Sequence, residues 1–481
     1  MGLSGALNNA ASGLAINARS ANLVSSNISN ALTEGYGRRE LQVVADTVAT
    51  YGGVRSIGVL RLSNPVLIGE RRLSEARAGG QEQIATARQS LETLIGSPLD
   101  GDSLTGRVTN FEASLVTASA DPSSPQRLKG VAQAAQALTG KLNAASDGVQ
   151  AMRVAAEQQI ATLVGQLNDG LARVGEINTK ITALLSQRLD TSALKDQRQL
   201  EIDTLSGIVP LRVKENDRGQ VQLFSTGGAI LLDTTPPVFG FAASNLIAPH
   251  MTLGNALLSG LTMDGRTIDP GPSGPLAGGA LAAQFQIRDS ETVAVQSVLD
   301  GIARDLVQRF GPGGPDTTLL AGDPGLFTDA GLAFLPADEI GLSGRIALNS
   351  IVDPAGPDTW KIRDGLNAAI PGFSGDSMLI NGLQSALTAR VTASSASLGS
   401  AASSFASHAS FAASLVADNR VDAEKELSFA QAHATALKTQ ELAGGVDTDA
   451  ELQHLMQIEQ AYAANAQVIR VVDELLQLLL R

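Results

Sequence analysis

The two ends of the chain each carry a long helical stripe of apolar residues, and these stripes constrain the fold more than any other feature. Apolar positions recur in alternating steps of four and three residues, the spacing of one face of a coiled-coil helix. Each stripe holds one asparagine, and a single polar seam position typically fixes register and oligomeric state. We therefore predict two assembly helices that pair with each other in a polymer subunit. The N-terminal seam is Leu3, Leu7, Ala10, Leu14, Asn17, Ala21, Val24 and Ile28, and the C-terminal seam is Leu455, Ile458, Tyr462, Asn465, Ile469, Val472, Leu476 and Leu479.

The seams leave two alternatives open. Asn17 and Asn465 either pair across the seam or face the solvent. The terminal helices either form a stable antiparallel pair within one chain or stay largely disordered until assembly. An isolated helix gains little from propensity, and Gly5 and Gly13 each cost about 1 kcal/mol relative to alanine. This cost favours folding on assembly.

Composition excludes several classes of function. The 481 residues suffice for two to four domains and a sizeable core. A formal net charge of -13 argues against binding to nucleic acid or to an anionic membrane surface. The start of the chain lacks the pattern of a secretory signal, and we find no apolar stretch long enough to span a bilayer. Composition alone predicts a soluble, cytosolic chain, and the zero cysteines exclude disulfides and thiol chemistry.

A catalytic site in the central region, about residues 221–371, is the rival interpretation. The sequence lacks the His-Glu-x-x-His zinc motif, the Gly-x-Ser-x-Gly elbow and a phosphate-cradling loop. The segment Asp100 to Ser103 only faintly resembles a calcium loop, because the downstream glutamate is missing, and is interpreted as a solvated turn. Two carboxylates of a glycosidase could still meet in space. We expect no enzyme, no metal and no cofactor.

Helical patterns fill both flanks, and strand patterns are confined to the middle. The expected fold is mainly α with an inserted β region: an elongated multidomain protein whose N- and C-terminal helices pair into a coiled-coil or helical-bundle stalk, with a central β-rich knob. The predicted domains are an axial core (1–60 with 444–481), a helical-bundle stalk (61–207 with 376–443) and an outer domain (208–375) with one helix near 288–310.

Periodicity and turn residues predict individual elements. An extended loop with short strands follows the first helix, and a β-hairpin turns at Asn216 to Gly219. Thr448 and Glu451 fit a capping box at the start of the last helix. In this motif the threonine hydroxyl accepts from the Glu451 backbone N–H, and the glutamate carboxylate accepts from the Thr448 backbone N–H. The loop is 30–64, the further helices are 65–95, 104–119 and 125–189, and helical patterning returns from about 376 to 441.

Two sets of motifs lie near the two ends of the chain. The first runs from Ser26 to Asn30 and continues from Thr33 to Arg38. The second comprises Gly445 to Asp447, Glu451 with Leu452, and Gln460 to Ala466. Together these motifs resemble those of bacterial flagellar axial proteins. The signature turn carried over from this resemblance is Asn27, Asn30, Gly35, Tyr36 and Arg38.

The middle of the chain carries further motifs: Asp196 to Ser206, the hairpin and its Gly227-Gly228 turn, Gly278 to Leu281, and Asp323 to Phe327. Within that superfamily, these segments are similar to the hook-associated protein 1 family of hook-filament junction proteins. Three positions depart from the family pattern: Gly37 replaces threonine or serine, Arg39 replaces glutamine, and Asp447-Thr448 replaces Asn-Leu.

The resemblance implies an extracellular structural subunit of the flagellum that is exported unfolded through the type III apparatus. Its implied partners are other copies of itself in a helical ring, the hook protein, the second junction protein, and a cytosolic export chaperone that holds the C-terminal seam. The implied partners include neither nucleic acid nor a membrane. The alternative within the superfamily is a hook or distal-rod subunit.

Overall fold

The computed structural model describes residues 2–46 and 52–479. The middle of the predicted 30–64 loop, with Tyr51, lies outside the described residues, as do the two extreme ends of the predicted axial core. Within the described residues, no helix combines the length and apolarity needed to cross a membrane. The predicted class, mainly α with an inserted β region, is confirmed.

The N-terminal elements form one layer along the first helix. Helix α1 spans Leu3–Ser29, and the antiparallel strands β1 (Arg38–Ala45) and β2 (Val54–Leu62) follow it. The Val54 N–H donates to the Ser12 hydroxyl at 3.3 Å, so the hairpin runs back along α1. A two-stranded hairpin is marginal on its own, and α1 supplies its packing surface.

Four helices then build the stalk. Pro65 begins α2 in the first turn, where its missing N–H costs nothing, and the Asn64 side chain accepts from the Leu67 N–H at 3.2 Å. Helix α4 has 62 residues, which is about 93 Å at 1.5 Å per residue. Its first half packs in one core with α3 and its second half in another with α5. The bounds are α2 Pro65–Ile95, α3 Leu104–Ala120, α4 Pro125–Ser186 and α5 Ser192–Ile208.

Asparagines on α4 attach the β region to the stalk. The Asn178 amide donates to the Val221 carbonyl at 2.9 Å and accepts from the Val221 N–H at 3.1 Å, as a neighbouring strand would. Asn168 binds the backbone of Phe239 in the same way. The predicted hairpin is confirmed. The strands are β3 Leu211–Glu215, β4 Val221–Ser225, β5 Ile230–Leu232, β6 Phe239–Gly240, β7 Leu261–Met263 and β8 Arg266–Ile268, in two antiparallel sheets of three.

The predicted helix near 288–310 begins earlier than the sequence indicates. Helix α6 (Gly279–Gln286) continues through one π-helical turn at Ile287–Glu291 into α7 (Thr292–Arg309). The π turn directs Arg288 into the interior, where it pairs with the equally buried Glu157 at 2.5 Å. Short elements follow: β9 Phe327–Asp329, β10 Ile346–Leu348 and α8 Lys361–Asp364.

The helical patterning predicted from about 376 to 441 covers two helices, and the chain breaks between α9 (Met378–Thr388) and α10 (Phe405–Ala443). Arg309 stabilises the break by donating to the carbonyls of Ala386, Ala389 and Ser403 at 2.7 to 3.0 Å. The strands β11 (Val391–Thr392) and β12 (Ala402–Ser403) pair within the break, and α11 (Thr448–Leu479) ends the described chain. The domain boundaries at 60, 207, 375 and 443 stay predictions.

Candidate assembly site

The two chain ends meet at a buried hydrogen-bonded contact between α1 and α11. The Asn27 amide donates to the Glu451 carboxylate at 3.2 Å, and both side chains are 1 % exposed. The same amide donates to the Arg39 carbonyl at 2.9 Å, while its oxygen accepts from the Arg39 N–H and the Tyr36 hydroxyl. Asn27 thereby uses all four of its hydrogen-bonding positions. A fully satisfied buried amide fixes a single arrangement of the groups around it.

Glu451 does not form the predicted capping box. Its carboxylate accepts from the Arg38 guanidinium at 2.6 Å and from Asn27, so it points away from its own helix end. Asp447 caps α11 instead, accepting from the N–H groups of Asp449 at 3.0 Å and Ala450 at 3.1 Å. The sequence motif therefore predicted the helix start correctly, but Glu451 makes a tertiary contact instead of capping its own helix.

The seams pair in antiparallel register. The Asn465 amide lies 2.7 Å from where a Cβ on Gly13 would be, so its side chain covers that glycine. Asn27 lies 14 residues after Gly13, and Asn465 lies 14 residues after Glu451, so both contacts share one register. Asn17 is one turn away, half-buried, and no hydrogen bond joins it to Asn465 among the described residues. Of the two alternatives for these asparagines, pairing across the seam is not observed among the described residues.

The seam residues are buried to different degrees. Ala10 and Val24 are buried, and the other six N-terminal seam positions are half-buried. On α11, Ile458 and Val472 are buried, and Leu455, Asn465 and Ile469 are half-buried. Tyr462, Leu476 and Leu479 are exposed. A second stripe, here called the outer stripe, is also exposed: Val468, Val471, Leu475 and Leu478.

The signature turn connects α1 to the hairpin. Asn30 caps the end of α1 by donating from its side chain to the Ser26 carbonyl at 2.9 Å. Gly35 has φ +76°, a backbone conformation that favours glycine. The Tyr36 ring lies 4.8 Å below the Arg39 guanidinium, within the range of a cation–π contact. The turn thus places Arg38 and Arg39 at the start of β1, on opposite faces of the strand.

Asp196 of α5 joins the hairpin to the stalk. Its carboxylate accepts from Arg39 at 2.7 Å, from Arg61 at 2.6 Å and from the Gly37 N–H at 3.1 Å. Arg61 also donates to Gln199 at 2.6 Å. The departures at Gly37 and Arg39 meet at this carboxylate, which accepts from both residues. A Cβ on Gly37 would lie 2.5 Å from the Arg61 Nε.

Sequence reasoning assigned no role to Arg61 and quoted Asp196 only within a family segment. The signal for both depends on the strand register, which the structure supplies. Arg39 and Arg61 are direct cross-strand partners, and two like charges in that position repel unless an acid lies between them.

A second charged cluster fastens the base of α10. Arg71 of α2 binds Asp203 of α5 at 3.0 Å and also binds Glu441 near the end of α10. Burial alone would lower the pKa of Arg71, but Asp203, Glu441 and Glu75 together raise it above its ordinary value. Arg72 binds the same Asp203. Helices α2, α5 and α10 are therefore held together where the chain enters α11.

The charged groups of this site hold elements of the fold together. Each charged group described here has a protein partner, and no group of three or more histidines and carboxylates in the described residues is placed to hold a metal ion. The Asp100 to Ser103 segment is a turn, in which Ser103 caps α3 by accepting from the Gly106 N–H at 3.0 Å. The site is a joint between terminal helices and stalk.

Two protein families match separate parts of the chain. The family described as flagellar hook-associated protein FlgK helical domain matches residues 88–313, and the family described as flagellar basal body rod FlgEFG protein C-terminal matches residues 443–481. The flagellar hook-associated protein 1 of Bacillus subtilis (strain 168) is 23 % identical over 487 residues, covering 94 % of this chain and 92 % of the relative. The solved structure of the flagellar hook junction protein FlgK from Burkholderia pseudomallei is similar at a TM-score of 0.45 and 19 % identity, covering 54 % of this chain and 46 % of that one.

Proposed function

The chain belongs to the FlgK family of flagellar hook-associated proteins, and from this premise we propose that it is a structural subunit of the hook-filament junction, assembled through its paired terminal helices. The contact of Asn27 and Arg38 with Glu451 carries the proposal, because it brings both chain ends into one unit. The joint at Asp196 then fixes that unit to the stalk. A structural role rather than catalysis fits a site whose charged groups bind one another.

The proposed partners are neighbouring copies in a helical ring, the hook protein and the second junction protein. Before export, a cytosolic chaperone would cover α11, whose exposed apolar residues need protection from water and from other copies. The chain would leave the cell unfolded, and the zero cysteines prevent cross-linking on the way.

The terminal helices are proposed to fold only on assembly. Only one side of the apolar surface of α11 packs against α1. Ordering this helix would therefore stabilise a free subunit little. Sharp, protected amide signals for residues 1–30 in a dilute monomer would contradict this proposal.

Locating the protein within the flagellum tests the proposed function. An epitope inserted after Gly101, in an exposed turn with no atom within 4 Å of an added Cβ, should leave the fold intact. Immunogold labelling of intact flagella should mark the boundary between hook and filament only. Label along the whole hook or on the rod would support the hook or rod alternative and reject the junction role.

A further inference from the structure

Two short connectors join the terminal helices to the stalk. We call α1, the β1–β2 hairpin and α11 together the axial unit. The chain leaves this unit through Ser63 and Asn64 and returns to it through residues 444–447. Both connectors lie outside helices and strands, and Ser63, Asn64, Gly444 and Gly445 are exposed. Glycine adopts a wide range of backbone angles, so the second connector can change direction.

The axial unit and the stalk do not share a buried apolar core. Within the described residues, the buried apolar clusters of the stalk include no residue of α1, the hairpin or α11. A small, polar interface between two parts of one chain permits relative motion, whereas a large apolar interface prevents it. The attachment of the axial unit therefore depends on polar groups.

These polar groups converge on one carboxylate of the stalk. Asp196 accepts from the Gly37 N–H, from Arg39 and from Arg61, which all belong to the axial unit. Two guanidinium groups and a backbone N–H of the signature turn and hairpin thus share a single acceptor on α5. Asp196 is therefore the central contact between the two parts.

Two further contacts across the joint are weak. Lys438 of α10 pairs with Glu34 at 3.0 Å, but the two side chains are 50 and 76 % exposed, and such a pair contributes little. The Leu200 side chain covers Gly35 but remains 42 % exposed. Neither contact would hold the axial unit in place without Asp196.

The closed contact is only modestly more favourable than solvated ions. Arg39 donates one N–H to Asp196, and its buried Nε has no protein partner in the described part of the chain. One N–H makes a weaker contact than the two-pronged pair of which a guanidinium is capable, and an unsatisfied buried donor is unfavourable. Opening the joint returns the carboxylate and both guanidinium groups to water, whereas removing Asp196 alone leaves the arginines unpaired.

We propose that the joint is an ionic latch, and that the axial unit swings relative to the stalk when this latch opens. With the latch closed, Asp196 fixes one angle between the two parts. With the latch open, the two connectors permit other angles, while α1 and α11 stay paired because their seams lie within the axial unit. The proposal rests on the junction function above: a subunit between hook and filament has neighbours of two kinds, and a releasable angle lets one fold fit both.

Introduced cysteines measure the latch without background, because the chain has none. The variant E34C/K438C places one thiol on each side of the joint, where the charged ends of the replaced residues meet at 3.0 Å. The control G13C/N465C places both thiols within the seam. In isolated flagella, a short bismaleimide links each pair within one chain, and gel mobility gives the rate of linking.

Salt should slow the linking across the joint but not within the seam. From about 0.01 M to about 1 M salt the Debye length falls from about 30 Å to about 3 Å, which favours separated ions. The rate for E34C/K438C should fall roughly threefold or more, and the rate for G13C/N465C should stay constant once both are corrected by the labelling rates of the single-cysteine variants.

A change at Asp196 should reproduce the effect of salt. Asp196→Asn in the E34C/K438C chain should lower the rate at low salt by a similar factor. The matched change Glu201→Gln, on the same helix, should leave the rate unaltered, because Glu201 pairs with the exposed Arg173 away from the joint.

A rate for E34C/K438C that is independent of salt would overturn the latch, as would equal effects of Asp196→Asn and Glu201→Gln. The salt measurement needs no change at Asp196, so it decides the question even if Asp196→Asn does not assemble. In either case an epitope label that still marks the junction means that the latch fails while the proposed function stands. If that label is absent from the junction, the proposed function itself fails.

Discussion

Arg39 and Arg61 face each other directly across the β1–β2 hairpin, and the single carboxylate of Asp196 binds both. Two guanidinium groups in this position would repel each other, so the hairpin depends on an acid from another segment. The hairpin runs along α1 and the acid belongs to α5, so this pair of arginines ties the terminal helices to the stalk.

Replacing Asp196 by alanine should loosen the joint. It leaves two arginines, 17 % and 12 % exposed, without their carboxylate, and removing one partner of a largely buried pair costs about 3 kcal/mol. Native-state hydrogen exchange of the β1 and β2 amides measures the loss. The control Glu201→Ala, on the same helix, breaks a pair with the 51 % exposed Arg173 and should cost less than about 1 kcal/mol. Equal effects of the two changes would refute the role of Asp196.

Replacing Glu451 by alanine should release the start of α11. Asn27 and Arg38 lose their shared acceptor, and an unsatisfied buried donor costs about 1–3 kcal/mol. In assembled protein, amides of α11 should exchange about 10- to 100-fold faster, since 1.4 kcal/mol is about a factor of ten. The matched change Glu459→Ala, at an exposed position of the same helix, should leave exchange unchanged.

Gly35→Ala should strain the signature turn in two ways. Its φ of +76° disfavours a side chain by roughly 1 kcal/mol, and the new Cβ would lie 2.8 Å from the Leu200 side chain. The temperature at which the joint unfolds should fall. Adding Leu200→Ala should remove the loss caused by the clash but not the loss caused by the positive φ. Gly101→Ala, with nothing within 4 Å and no positive φ, serves as the control.

Acid should weaken the region around Trp360, the single tryptophan. Arg363 binds the Asp364 carboxylate at 2.6 and 2.9 Å and, with the Gly372 N–H, holds the pKa of Asp364 below its ordinary value of 3.8. A lowered pKa in the folded state adds stability above pH 3.8 that is lost as the pH falls through the folded value.

Asp364→Asn should therefore destabilise this region by about 2 kcal/mol at pH 7, and the difference from the unmodified chain should shrink below pH 3.8. Urea unfolding followed by Trp360 fluorescence gives both values. A difference that is constant with pH would contradict the ionic origin of the effect.

Local signals in the sequence predicted much of the fold. The seam spacing predicted α1 and α11, Pro65 marked the start of α2, and the turn at Asn216 to Gly219 marked the β3–β4 hairpin. These features depend on residues near one another in the chain, which a periodic pattern can reveal.

The features that the sequence did not predict depend on contacts between distant segments of the chain. Glu451 matched a capping box but binds Asn27, which is 424 positions away, and Arg309 binds the break within the helical patterning of 376–441. Arg288 lies in a π turn and pairs with Glu157 in the interior. No local pattern distinguishes these partners from solvated charges, so the joint itself required the structure.

Deleting Leu452 to Arg481 tests the central claim, that the paired terminal helices are the assembly device of a hook-filament junction. Electron microscopy of the cells, with an assay of flagellin in the medium, is the measurement. We expect hooks to persist without filaments while flagellin is shed into the medium. Normal filaments and motility would contradict the claim.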